Sequence, residues 1–296
     1  MTSSPNPRLG TVSPPLTFTV RCPEAVCKPR GVVWGAQMES YRELNPAGIR
    51  GLVFDIDDTV TRNGVLEPTA YAAMHRLVEA GFDLIAVTGR PLGWTDVIAR
   101  LWPVRIAVGE NGAGWAWVDA NGAHEGYFCS QAEREAQASL LRAIRREVAS
   151  KMPAVATTND DRHRRCDLAF DVGESRSLPR AEIDALVELI EELGARTSVS
   201  TVHAHAIPGD WDKAAGVTGA LHEVLGVDLG TEIERWVFVG DSGNDAAAFA
   251  GFPKSVGVAN VREHLDRLPV PPRYITDQDR GLGFAELAAQ LLDRDG

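Results

Sequence analysis

The segment from Gly51 to Thr59, GLVFDIDDT, runs apolar and then delivers Asp55, Asp57, Asp58 and Thr59 within five residues. On an extended chain Asp55 and Asp57 point to the same side. Two carboxylates held that close repel, so such a pair marks either a shared proton or a bound cation. Three further segments carry matching groups. Thr88-Gly89-Arg90 offers a hydroxyl and a glycine turn whose N–H groups can meet an anion. Lys213, in IPGDWDKAAG, places one fixed cation at the start of a helical run, and WVFVGDSGND brings Asp241, Asn244 and Asp245 into a glycine-flexible loop that opens a helix. Carboxylate oxygens suit Mg2+, while the ammonium, hydroxyl and N–H groups suit phosphate.

Elements of the right kind precede each of these groups. After Pro46 the chain shows short apolar runs, each followed by a turn and a helical pattern, which is the texture of parallel βα units. Buried strands are expected at Leu52–Ile56, Leu84–Thr88, Ile106–Val108, Trp236–Val239 and Ser255–Ala259. In a parallel sheet, ligands sit beyond the carboxyl ends of the strands, where these chemical groups fall. Between the first two strands, Ala70, Met74, Leu77 and Val78 recur at helical spacing, with Thr69 as the expected N-cap and Gly81 at C′. That arrangement makes a right-handed βαβ crossover.

The pattern changes between residues 129 and 203. A charged helical stretch, Gln131–Lys151, leads to an expected strand in Arg164–Val172, a helix from Arg180 to Leu193 and a strand near Ser198–Ala206. This stretch reads as a separate α/β insert.

Taken in order, DIDDT, TGR, the lysine of DWDK and GDSGND resemble the four motifs of the haloacid dehalogenase (HAD) superfamily of phosphohydrolases. Asp55 to Thr88 spans 33 residues, Thr88 to Lys213 spans 125 and Lys213 to Asp241 spans 28, and the long gap is where that family's C2-type cap would be inserted. GENGA at 109–113, SVGVAN at 255–260 and YIT at 274–276 resemble the C2-capped branch, which includes Cof-like, sucrose-phosphate and trehalose-phosphate phosphatases. The resemblance implies an α/β fold: a Rossmann-like parallel-sheet core at 48–128 and 204–296, with an inserted α/β C2-type cap domain at 129–203. Residues 1–47 lie outside it and read as a partly disordered leader, with a short helix around Gln37–Leu44.

The resemblance also implies roles. Asp55 would be the nucleophile that forms an aspartyl-phosphate, and Asp57 the acid that protonates the leaving oxygen and then activates water. Thr88 and the Gly89 N–H would hold the phosphoryl oxygens, and Lys213 would stabilise their charge. Mg2+ would be held by Asp55, the Asp57 carbonyl and Asp241, with Asn244 and Asp245 in support. Arg90, Asn111 and Gly112 are candidate substrate contacts, although Arg90 suits a loop brace better. The chemistry agrees with this division: Asp55 must stay ionised beside an anionic phosphate, whereas Asp57 needs a proton, and different environments separate the two.

Composition bounds the rest. The chain has 296 residues, 44% hydrophobic and 24% charged, so a real core is available. The net charge of −11 disfavours nucleic acid or an anionic membrane as the main partner; the resemblance implies a small-molecule phosphate ester as partner instead. No run approaches the ~18 apolar residues of a membrane span. Four cysteines fit a reducing, cytoplasmic setting better than a disulfide framework or a zinc site at Cys22 and Cys27. His203 and His205 share one side of a strand and read as ordinary strand histidines rather than a metal pair. The run Asp161-Arg162-His163-Arg164-Arg165 reads as a solvated turn, the alternative being a grip on an anionic substrate tail. Trp94, Trp102, Trp115 and Trp117 read as core packing and domain contact, the alternative being that one near Asn111-Gly112 stacks on a sugar.

The expected function is Mg2+-dependent hydrolysis of a small phosphorylated metabolite, a sugar phosphate. The rivals are a phosphomannomutase-like phosphosugar mutase, disfavoured because no convincing arginine set for a second phosphate stands in the cap, and a catalytically silent binding module. Dinucleotide binding fails because no GxGxxG turn follows the first strand.

Overall fold

A computed structural model describes residues 38–293. Its strands are β1 (Glu39–Ser40), β2 (Gly51–Asp55), β3 (Thr61–Arg62), β4 (Val65–Leu66), β5 (Asp83–Val87), β6 (Ile106–Gly109), β7 (Gly114–Asp119), β8 (Gly122–Tyr127), β9 (Leu168–Asp171), β10 (Arg196–Val199), β11 (His203–Ile207), β12 (Trp236–Gly240), β13 (Ser255–Gly257) and β14 (Tyr274–Ile275). Its helices are α1 (Pro68–Glu79), α2 (Leu92–Leu101), α3 (Gln131–Lys151), α4 (Arg180–Glu192), α5 (Lys213–Leu225), α6 (Leu229–Glu232), α7 (Ala246–Gly251) and α8 (Arg280–Leu292).

The apolar runs after Pro46 build one sheet in the order β1-β14-β13-β12-β2-β5-β6-β7-β8. From β1 to β6 every pair is parallel, and β7 and β8 add an antiparallel hairpin at one edge. Strands buried on both faces must be apolar throughout, which is why β2, β5 and β12 read as continuous hydrophobic runs. Helices α1 and α8 cover one face through Met74, Leu77, Phe284 and Leu287, while α5 and α7 cover the other through Val217, Leu221 and Phe249. This is the α/β, Rossmann-like architecture expected.

The chain leaves β2 towards β5 on one side and returns to β12 on the other. Such a reversal of strand order opens a crevice at the carboxyl ends of the two central strands. Asp55 ends β2 and Asp241 directly follows β12, so the topology brings residues 186 positions apart to one place.

Within the insert, β10-β11-β9 form a separate antiparallel sheet. Alternation decides its faces. Leu168, Phe170, Ala204 and Ala206 pack against Ile144, Val148, Leu186 and Ile190 of α3 and α4. The intervening side chains, including His203 and His205, therefore take the opposite face, away from the two helices. Both histidines are buried even so. The division drawn at 203/204 falls inside β11, because pairing with β9 and β10 carries the insert sheet to Ile207.

Several local expectations shift. Residues 39–44, assigned to the leader, add β1 beside β14 and bury Tyr41 and Leu44, and the helix expected there is a single 3-10 turn at Tyr41–Glu43. The rest of the leader, with Cys22 and Cys27, lies outside the described residues. Helix α1 is capped at Glu67 rather than Thr69, because Pro68 takes the first helical position, where its missing N–H costs nothing. Gly81 adopts φ +87°, as a C′ residue does, and Val78 turns outward. The β7–β8 hairpin was not read from the sequence, although Asn121-Gly122 is the signal for one. Among the described residues, no helix is long and apolar enough to cross a membrane.

Candidate active site

Lys213 is the centre of the crevice. It occupies the first position of α5, where the helix dipole disfavours a cation, behind an Asp212 side chain that accepts the Ala215 N–H at 2.9 Å. Its ammonium is fully buried and donates to Asp55 Oδ1 at 2.6 Å and to Asp245 Oδ1 at 2.7 Å. Burial works against the charged lysine, but Asp245 and Asp55 overcome it and raise its pKa, so it stays an ammonium. Asp245 is itself fixed by the backbone N–H groups of Asp241 and Ser242, at 2.9 and 3.1 Å from its Oδ2.

Among the described residues, Asp241 has only neutral donors. Asn260 Nδ2 reaches its Oδ2 at 3.0 Å, and the Thr59 hydroxyl stands 3.5 Å from its Oδ1. Carboxylate oxygens of Asp55, Asp241 and Asp245 all lie within 4.8 Å of one another. Burial, then Asp245 and Asp55, push the Asp241 carboxyl well above its usual range; burial likewise raises Asp55, with Lys213 pulling the other way. Three buried carboxylates thus face one ammonium, and the uncompensated negative charge with hard oxygen donors fits a divalent cation such as Mg2+.

Asp57 projects to a different partner. Arg90 holds it bidentately, Nε at 3.1 and 3.0 Å and Nη2 at 2.8 Å, and also donates Nη1 to Glu174 of the insert at 2.7 Å. Glu174 in turn pairs with His203 Nε2 at 2.9 Å, and its carboxyl is pulled down to about 2 by that hydrogen bond and by Arg90. Arg90 is therefore a brace, as expected, but one that couples Asp57 to the insert. Asp58 turns away into φ +55° and accepts from Arg280 at 2.9 Å.

Thr88 and Gly89 follow β5. The buried Thr88 hydroxyl accepts the Arg90 N–H at 3.0 Å, which bends the TGR loop over the strand end. Next to it, Glu110, Asn111 and Gly112 take positive φ in succession, at 49°, 55° and 107°. Such a turn is strained for Glu110 and Asn111, and its surroundings must hold it. They do so through the buried Glu110 carboxylate, which accepts the backbone N–H groups of Leu92, Arg165, Cys166 and Asp167 at 3.0, 2.9, 2.6 and 3.0 Å. Core and insert are pinned together at that one side chain.

The other candidates divide. Asn111 lies in the crevice, its Oδ1 3.4 Å from Asn244 Nδ2. Gly112 packs against Gly216 and the Asp212 carbonyl at the start of α5, a close approach that only glycine permits. Trp211, which the sequence did not single out, donates to the Glu110 carbonyl at 3.1 Å. Two cavities flank the site between core and insert. One of about 450 Å3 is lined by Asn111, Lys213, Asn244 and Arg196, and one of about 280 Å3 by Asp57, Arg90, Gly173 and Glu174.

No protein-family model matches the chain. A phosphoglycolate phosphatase of Pyrobaculum neutrophilum is 30% identical over 249 residues, 83% of this chain and 96% of that protein. One of Methanosarcina mazei is 30% identical over 255 residues, 83% of this chain and 98% of that protein. Among solved structures, a Thermoplasma acidophilum protein aligns with TM-score 0.63 and 19% identity, covering 82% of this chain and 98% of its own. The sucrose-phosphatase of Synechocystis, solved with sucrose and phosphate, aligns with TM-score 0.59 and 17% identity, over 82% and 97%. Likeness over nearly the whole length of these proteins, on a fold whose crevice holds all four sequence motifs, leaves one conclusion: the chain belongs to the haloacid dehalogenase superfamily of phosphohydrolases, in its C2-capped branch.

Proposed function

We propose that the protein is a Mg2+-dependent phosphoric monoester hydrolase that cleaves a small phosphorylated metabolite, a sugar phosphate, through an aspartyl-phosphate on Asp55. The observation that carries this reading is the buried Lys213 bridging Asp55 and Asp245, with Asp241 beside them and short of positive charge. The full-length relatives named phosphoglycolate phosphatase support hydrolysis of a small phosphate ester.

The residues divide the work. Asp55 Oδ1 is held by Lys213, which leaves its other oxygen to attack phosphorus in line with the ester oxygen. Asp57 protonates that oxygen as it leaves, and then takes a proton from the water that opens the aspartyl-phosphate. Arg90 donates to both Asp57 oxygens, which holds the carboxylate in place to accept the proton in the water step. The Thr88 hydroxyl and the Gly89 N–H hold the phosphoryl oxygens while Lys213 offsets their charge. Asp55, Asp241 and the Asp57 carbonyl would hold Mg2+, which when bound supplies the positive charge that lets two anions approach; Asn244 and Asp245 would support it from behind.

Colorimetric assay of phosphate release from p-nitrophenyl phosphate and from a panel of sugar and polyol phosphates tests the reading. Turnover is expected with Mg2+, is lost with chelator, and is abolished in a folded Asp55→Asn variant. Undiminished turnover in that variant removes Asp55 as nucleophile, and isomerisation of a sugar phosphate without phosphate release removes hydrolysis.

A further inference from the structure

On the insert face above Gly89, several buried polar atoms have no hydrogen-bond partner among the described residues. Arg164 comes from the loop before β9, and its side chain is 2% exposed. It spends Nη1 on Asp167 Oδ1 at 2.8 Å and on the Gly89 carbonyl at 3.0 Å, while Nε and Nη2, the side-on fork of the guanidinium, have no hydrogen-bond partner. His205 of β11 is fully buried; its Nδ1 meets Asp167 Oδ2 at 2.8 Å and its Nε2 has no partner. That Nε2 would lie 2.9 Å from a Cβ built on Gly89, so it faces the TGR loop directly. Asp160 stands 4.0 Å from Arg164 Nη2 and 3.7 Å from Arg90 Nη1, beyond hydrogen-bonding distance of either, and both its oxygens are also unpartnered.

Leaving such groups unpaired in a buried interface is unfavourable, and natural structures tolerate that where a ligand completes them. The supporting bonds are already made. Asp167 fixes both Arg164 and His205, and Glu110 fixes the backbone of Asp167. The contacts to Asp167 are made while the remaining polar atoms of Arg164 and His205 have no hydrogen-bond partner among the described residues, as in a preorganised subsite.

We propose that Arg164 and His205, held by Asp167, are the specificity-determining residues for the leaving group, and that they select a hydroxylated one over a bare carboxylate. This inference rests on the phosphatase reading above and assigns the part of the substrate that reading leaves open. Donors and acceptors must match. With Nδ1 donating its proton to the Asp167 carboxylate, His205 Nε2 is an acceptor, and so is Asp160; Arg164 Nε and Nη2 are donors. A hydroxyl both donates and accepts, so a polyol or sugar satisfies both sets. A carboxylate only accepts: it would fill the arginine fork, leave His205 Nε2 unpaired and press against Asp160. Burial and the positive charge of Arg164 hold the His205 pKa well below its usual value, in keeping with an acceptor Nε2. The location agrees, because Asp160 stands 3.7 Å from the guanidinium of Arg90, which holds Asp57, the residue whose proton the leaving oxygen takes.

The test compares kcat/KM for glycerol 3-phosphate, glucose 6-phosphate, 2-phosphoglycolate and p-nitrophenyl phosphate in the full-length Mg2+-loaded protein and in Arg164→Lys and His205→Phe. Folding of each variant is checked by circular dichroism. The wild type should prefer at least one hydroxylated ester over 2-phosphoglycolate by about tenfold. Each variant should lower the ratio of that ester to p-nitrophenyl phosphate by about tenfold or more. A wild-type preference for 2-phosphoglycolate overturns the assignment, as does an unchanged ratio in a folded variant. Should Arg164→Lys fail to fold, His205→Phe and the wild-type order still decide. Wild type that cleaves no ester, p-nitrophenyl phosphate included, overturns the phosphatase reading beneath it instead.

Discussion

The two surfaces that enclose the site solve different problems. On the floor, at the ends of β2 and β12, every charged side chain has a hydrogen-bonding partner, yet the charges do not balance: Asp55 and Asp245 share Lys213 while Asp241 has only Asn260 and Thr59. On the insert face above, Arg164 is held by Asp167 and stands 4.0 Å from Asp160, and the hydrogen bonds are incomplete among the described residues. A missing charge calls for a cation and missing hydrogen-bond partners call for an uncharged polar group. On the proposed reading, floor and roof divide phosphoryl chemistry from recognition.

Lys213→Met should break the floor most severely. It leaves Asp55 and Asp245 buried without their cation, at a cost of about 3–5 kcal/mol, and lowers kcat by about 100- to 1000-fold in whatever fraction folds. Thermal unfolding together with kinetics on p-nitrophenyl phosphate measures both. A fully stable, active variant removes the charge argument.

Asp241→Asn should have a smaller effect on stability and of opposite sign. In metal-free protein it relieves the repulsion that pushes the Asp241 carboxyl up, so the variant should unfold at a higher temperature than wild type. Adding Mg2+ at ~100 times its dissociation constant should stabilise wild type by about 2.7 kcal/mol and the variant far less. Differential scanning fluorimetry with and without Mg2+ checks it, and equal shifts in the two proteins would remove Asp241 from the metal site.

The smallest effect sharpens the contact between floor and roof. The Glu174 carboxyl is pulled from its usual 4.5 down to about 2 by His203 and Arg90. A depressed acid contributes stability that is complete above pH 4.5 and is lost as pH falls towards 2. Wild-type stability should therefore fall more steeply than that of Glu174→Gln across that window in urea titrations, whereas parallel profiles would show that the Glu174 pairs contribute nothing.

The floor was legible in the sequence because its groups sit within contiguous motifs at strand ends, and hydrophobic runs mark the strands that carry them. Asp55, Thr88, Lys213 and Asp241 were placed by that logic, and the crevice brings them together. The roof was not legible, because it is assembled from a loop before β9, the alternate face of β11 and one strained turn of the core. Arg164 lay in a run that reads as a solvated turn, and nothing local distinguishes it from Arg165, which pairs at the surface with Glu125 at 2.6 Å. Glu110 gave no signal beyond its place before Asn111-Gly112, since its four N–H donors come from residues brought near only by folding. The edge strand β1 was hidden for another reason: two residues are too few to show periodicity, and only pairing with β14 defines them.

The central claim is that Asp55 carries the phosphoryl group and Asp57 moves the protons. Rapid-quench kinetics of Asp57→Asn with p-nitrophenyl phosphate and Mg2+ test it most directly, because p-nitrophenolate leaves without needing a proton while the water step still needs the base. One equivalent of p-nitrophenol should appear in a burst, followed by slow turnover, and the peptide containing Asp55 should gain the mass of one phosphoryl group. Turnover without a burst and without that mass, or the phosphoryl group on any other residue, would contradict it.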